Sequence, residues 1–204
     1  NPAAVQVEIS GDAARIESAI LAITFDLSVG TYTGTDKSDG TEVFKDAWFR
    51  LGEGGWKEPP CAYSAERLAD VADELGTGAT LRVWYQPDAR YDPWRFLDVT
   101  VYEGKPFFVI GWGIKNNKDY TVRARTAEVL LDGELFKNQK WNEPRVLRGG
   151  AGAEPNVVEQ TWEINAHNSA MLTYRDALSA GKRRTIVTGG LHYAEFMRTV
   201  ECHK

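Results

Sequence analysis

The sequence predicts an all-β fold, two packed antiparallel sheets with little helix, on three observations. Apolar and polar side chains alternate with a period of two through several long stretches. Glycine, asparagine, aspartate and proline punctuate those stretches as turn signals. No helical pattern of about 10 to 15 residues recurs between them, which excludes parallel βαβ units.

Residues 5–9, 15–18, 21–27, 31–34 and 43–51 read as the opening strands, separated by turns at Gly11-Asp12, at 28–30 and at 36–40. The turn from Asp36 to Glu42 looks like an incomplete calcium loop. It lacks the ligand count and the later bidentate glutamate, so it reads as a hairpin turn. Residues 64–75 are open to helix or strand, with Ser64 in N-cap position and Gly76 beyond the last apolar residue.

The stretch 81–123 is the clearest meander. Val99 and Val101 alternate with Thr100 and Tyr102, and Phe108, Ile110, Trp112 and Ile114 alternate with Val109, Gly111 and Gly113. Between these runs Gly104 supplies a positive φ and Pro106 opens the following strand. Asn116 to Asp119 closes the hairpin, because Asn and Asp tolerate left-handed backbone. Residues 127–131, 157–164, 170–175, 184–188 and 194–200 complete well over ten strands, and 147–155 reads as a long irregular loop. A single domain spanning 1–204 is the expected organisation.

Hydrophobic residues make up 43% of the chain and charged residues 26%, an ordinary globular balance. The net charge of −5, from 24 Lys and Arg against 29 Asp and Glu, lacks the basic footprint of a nucleic-acid binder. No apolar run approaches the ~20 residues of a membrane span. The start at Asn1-Pro2, with neither Met nor leader, suggests a processed secreted or periplasmic protein, or an excised piece. Cys61 and Cys202 form no C-x-x-C pair and read as two buried thiols in preference to a disulfide.

No catalytic residue, metal site or cofactor is expected. His167, His192 and His203 share no metal-ligand spacing. The G-x-S-x-G and H-E-x-x-H motifs are missing, as is the phosphate-loop ending after Gly149 to Gly152. Nor does spacing single out a pair of catalytic carboxylates. The aromatic residues carry the signal instead: the 7 tryptophans are many for one domain, and an indole face stacks on the apolar C–H face of a sugar. Trp112 and Trp162 lie within strands and read as packing residues. The connection 85–94 sets Tyr91 and Trp94 beside Asp88 and Arg90, and Trp56 lies in a segment of similar composition. Trp94, Tyr91, Asp88, Arg90 and Trp56 are therefore the candidate carbohydrate-binding residues, with an oligo- or polysaccharide as partner.

Three segments together carry a family resemblance: LAITFDLSVGTYTGTD at 21–36, LRVWYQPD at 81–88 with FLDVTVYEGKPFFVIGWGIKN at 96–116, and NSAMLTYRDALSAGKRRTIVTGGLHYAEF at 168–196. Their order resembles the N-terminal β-supersandwich domain of the α-galactosidase and raffinose synthase-like glycoside hydrolases, family 36 and its relatives. The resemblance implies the galactose mutarotase-like superfold, with strand and not helix over 64–75. It also implies a non-catalytic domain preceding a catalytic barrel that this chain does not contain. The family's tryptophan-bearing loop would correspond to 145–155, where Gly149 and Gly150 stand but no tryptophan follows, so the resemblance does not extend to an α-galactose subsite. Two other readings stay open. One is a free-standing mutarotase-type enzyme using His167, His192 and Glu195; the other is a sandwich for protein interaction or adhesion.

Overall fold

The computed structural model describes residues 4–51, 60–90 and 92–122, with side chains except at 50 and 51. Beyond these it describes only the backbone of seven strands between 127 and 202. The chain divides into two compact units, Asn1–Lys137 and Asn138–Lys204. Every element among the described residues is a β-strand.

In the first unit, β1 (Gln6–Ser10), β2 (Ala13–Glu17), β3 (Leu21–Asp26), β4 (Thr31–Asp36) and β5 (Thr41–Leu51) run as an antiparallel meander. β11 (Ala127–Leu130) pairs beside β5 and completes a six-stranded sheet. The predicted turns close it: Gly11, Gly30 and Gly40 have φ of 56°, 76° and 74°. Left-handed backbone is costly for other L-residues, and Gly30 could carry no side chain in any case. A Cβ there would fall 2.1 Å from the ring of Tyr63. The register between β4 and β5 shifts twice, on either side of Gly34, and Asp46 takes φ of 55°. Extra residues in one strand of a pair are β-bulges, and aspartate tolerates the conformation.

The second sheet holds β6 (Cys61–Arg67), β7 (Val71–Asp73), β8 (Gly76–Pro87), β9 (Trp94–Tyr102) and β10 (Phe108–Lys115). Its order is β10-β9-β8-β6, with β7 also paired to β8. Residues 64–75 thus fold as the end of one strand and a second short strand, not a helix. Gly104 turns β9 into β10 with φ of 65°, and β10 begins at Phe108, two residues beyond Pro106.

The two sheets form an antiparallel β-sandwich, with β1 and β2 approaching β6, β8 and β9. Alternation decides its core. Ala14, Ile16, Ile23, Phe25, Tyr32, Phe44 and Phe49 face inward from one sheet, and Leu81, Val83, Tyr85, Leu97, Val99 and Val101 from the other, all buried. Burying each large side chain contributes about 1.5 to 3 kcal/mol. Two polar groups tie the sheets together within that core. The Tyr85 hydroxyl donates to the Gly30 carbonyl at 3.1 Å, and the buried Arg95 guanidinium donates to the Phe49 carbonyl at 3.1 and 3.3 Å. Both satisfy groups that burial would otherwise penalise.

The second unit contains a four-stranded antiparallel sheet of order β13-β12-β15-β16, made of β12 (Asn142–Gly150), β13 (Ala153–Val158), β15 (Ser169–Arg175) and β16 (Thr185–Gly189). β14 (Ile164–His167) pairs with β17 (Thr199–Cys202). The long loop expected over 147–155 is corrected here. Val146 and Leu147 lie in register with Val158 and Val157, and a bulge between Arg148 and Gly150 absorbs the glycines. The β-branched partners on both strands outweigh the local turn signal. No helix among the described residues is long and apolar enough to cross a membrane.

Candidate functional site

The solvent face of the second sheet follows from the same alternation that builds the core. With Leu81, Val83 and Tyr85 turned inward, β8 presents Arg82, Trp84 and Gln86 outward. With Arg95, Leu97 and Val99 inward, β9 presents Trp94, Phe96 and Asp98. Register then fixes the neighbours. One cross-strand row reads Ser64, Trp84, Phe96, Gly113, and the next reads Glu66, Arg82, Asp98, Gly111. Lys115 pairs with Trp94 at the end of β10.

Three half-buried aromatic rings therefore meet on one face. Trp84 and Phe96 lie with centroids 5.2 Å apart and planes at 62°, and Trp84 and Trp94 with centroids 6.4 Å apart at 64°. The two indoles thus open as a V. Each ring is held from a different side. Trp84 Nε1 donates to Glu66 Oε1 at 2.8 Å, and the Trp94 backbone N–H donates to Asn117 Oδ1 at 3.4 Å. Phe96 lies across Gly113, where a Cβ would fall 2.3 Å from the ring tip. With the ring this close to the backbone, a side chain at position 113 would have to displace Phe96.

Among the described residues, charge is paired at one end of the face and not at the other. Arg82 forks onto Asp98 with both bonds at 2.7 Å, and its guanidinium carbon sits 3.9 Å from the Phe96 centroid. This bidentate hydrogen bond holds the Arg82 pKa above its ordinary value, with attraction from Asp98 and Glu66 adding to it. At the opposite end the Lys115 ammonium lies 5.6 Å from the Trp84 centroid and 5.5 Å from that of Trp94. Gln86 Nε2 donates to Ser64 Oγ at 3.2 Å beside Trp84. Such a surface can stack a flat apolar ligand face on indole and offer amide, hydroxyl and ammonium groups to its polar edge.

Of the residues predicted from sequence, Trp94 belongs to this face. Asp88 and Arg90 are exposed in the connection between β8 and β9. The Asp88 N–H bonds to the Pro60 carbonyl at 2.9 Å, and the Arg90 carbonyl accepts from the Tyr120 hydroxyl. Tyr91 and Trp56 lie outside the described residues, as do the side chains of His167, His192 and Glu195. Cys61 is half-buried at the start of β6, and of Cys202 only the backbone is described.

The packing role expected of Trp112 is corrected. Its ring reaches Phe49 at 6.0 Å, yet it is 47% exposed, because β10 is the edge strand and its inward side is only partly covered. Sequence reasoning missed Trp84 and Phe96. The available signal was their placement at every second position with Arg82, Gln86 and Asp98, opposite the small Gly111 and Gly113. Among the described residues no group of three or more His, Cys, Asp or Glu could hold a metal ion. No family model, curated protein or solved structure compared with this chain matches it.

Proposed function

We propose that this chain is a non-catalytic β-supersandwich of a carbohydrate-active enzyme, the N-terminal domain of an α-galactosidase-like glycoside hydrolase, and that it binds carbohydrate through aromatic residues. The carrying observation is the V of Trp84 and Trp94, with Phe96 beside them, on a sheet face bordered by hydrogen-bonding groups. The ordered resemblance of residues 21–36, 81–116 and 168–196 to that family supports the parentage.

One stacked ring supplies ~1 to 3 kcal/mol, by analogy with base stacking on aromatic side chains. Affinities near millimolar for one ring, and tighter for two, are expected. The test is calorimetric titration of neutral and charged oligosaccharides against the parent chain, Trp84→Ala and Trp94→Ala. Both substitutions should weaken binding at least about fivefold while the cooperative unfolding transition is kept, since both rings are only half-buried. No binding by any glycan, or unfolding in place of lost affinity, would sink the reading. The purified chain should also release no nitrophenol from α-galactosides. Release abolished by one Asp or Glu substitution would reassign it as an enzyme.

A further inference from the structure

Among the described residues the proposed binding face has one cation with no carboxylate partner, and that narrows the ligand. Arg82 brings no available charge, because Asp98 neutralises it through two bonds at 2.7 Å. Glu66 is engaged by the Trp84 indole N–H. Lys115 is exposed, and its ammonium touches only the two indole rings, at 5.5 and 5.6 Å, with no carboxylate paired to it among the described residues. A π face uses none of the three ammonium N–H donors as a full hydrogen bond, and the attraction is weak at an exposed site. A ligand can therefore take the ammonium without breaking an ion pair.

We propose that this face selects acidic glycans. The carboxylate of a uronic acid or the sulfate of a sugar ester accepts from Lys115 Nζ, while the pyranose C–H face lies on Trp84 or Trp94. The opposite end repels a second anion, since Glu66 stands there beside the neutralised Arg82–Asp98 pair. Ligand polarity along the face follows: the anionic group sits over β10 and neutral hydroxyls over β6, near Ser64 and Gln86. This inference rests on the carbohydrate-binding reading and supplies its substrate class.

The experiment uses the full chain and three probes of matched length: a neutral galacto-oligosaccharide, an oligogalacturonate and a sulfated galacto-oligosaccharide. Binding is read by calorimetry and tryptophan fluorescence. The acidic probes should bind tighter than the neutral one. Lys115→Gln should lower acidic-probe affinity about three- to five-fold more than it lowers neutral-probe affinity, the scale of one exposed ion pair. Lys115→Arg should retain the preference. The two acidic arms separate carboxylate from sulfate, and preference for either supports the proposal. Equal binding of neutral and acidic probes overturns it and leaves the carbohydrate reading intact. Acidic binding undiminished in Lys115→Gln overturns it by placing the anion elsewhere. Binding of none of the three overturns both readings together.

Discussion

Gly113→Ala separates the aromatic face from the sandwich that carries it. A Cβ at this position falls 2.3, 2.6 and 3.2 Å from three atoms of the Phe96 ring, where carbon atoms prefer about 3.5 to 4.0 Å. The ring tip must therefore move by more than about 1 Å. Phe96 stands on the solvent side and can swing, at an off-rotamer cost of about 0.5 to 1.5 kcal/mol. Swinging also takes it from the Arg82 guanidinium, 3.9 Å from its centroid, and from Trp84 at 5.2 Å. Those contacts are worth about 0.5 to 1 and 0.5 to 1.5 kcal/mol respectively. Alanine returns about 0.5 to 1 kcal/mol, because glycine weakens a strand interior. The expected net effect is a loss of about 1 to 3 kcal/mol, with a changed near-ultraviolet circular dichroism band from Trp84. Gly111→Ala is the matched control, two residues away on the same face, where the added Cβ meets Asp98 Cβ at an ordinary 3.6 Å. It should be neutral or slightly stabilising. Urea denaturation of both variants decides the matter: equal midpoints with unchanged aromatic dichroism would refute the packing of Phe96 over Gly113.

Other outcomes follow from the core and its polar contacts. Tyr85→Phe should cost about 1 to 2 kcal/mol in urea denaturation, because the Gly30 carbonyl loses the donor it holds at 3.1 Å in a buried setting. Tyr102 is pushed up to about 12 by burial first and then by its hydrogen bond to Asp73 at 2.8 Å. Its folded pKa lies above the ordinary ~10, so its contribution to stability is complete below pH ~10 and lost as pH rises towards 12. Burial raises Tyr32 as well, so absorbance titration at alkaline pH should show more than one late tyrosinate, of which the one near pH 12 is lost in Tyr102→Phe and shifted down in Asp73→Asn. Glu17 is held below the usual carboxylate range chiefly by its hydrogen bond from Arg15, with Lys37 also bonded to it. That contribution is present above the ordinary glutamate pKa and fades as pH falls. Glu17→Gln should flatten the acid limb of the stability profile by less than about 1 kcal/mol.

The fold was readable from sequence where local chemistry and tertiary packing agree. Gly11, Gly30, Gly40 and Gly104 all take the positive φ that their turns require, and the alternation within 81–87 and 94–101 coincides with the alternation of burial. It was unreadable where a partner strand decides. Residues 64–75 carry a helical cap signal, but Ser64 and Glu66 sit opposite Trp84 and Arg82, and the ladder to β8 prevails over the cap. Residues 147–155 carry turn composition, yet their pairing partners draw much of the segment into β12 and β13. The candidate face failed to appear for a related reason. Trp84 and Trp94 are ten positions apart in sequence, and only the pairing of β8 with β9 makes them neighbours.

Placing the site on strands instead of the connecting loop changes what binding costs. In a loop such as 85–94, Asp88 and Arg90 would have to be ordered by the ligand, and immobilising a rotamer-rich side chain costs about 0.5 to 1.5 kcal/mol. Against a stacking gain of ~1 to 3 kcal/mol per ring, ordering two such residues would cancel most of the benefit. On the sheet that ordering is done during folding. The ladders on both sides of β9 fix the backbone, Glu66 holds Trp84, and the Arg82–Asp98 fork supports Phe96 from above. A ligand of the proposed kind would meet rings already oriented, and weak individual contacts would then convert into measurable affinity. Lys115 is the exception, an exposed side chain with a flexible four-carbon stem, and under the proposal its freedom would let it leave the indoles for an anion while the aromatic frame stays in place.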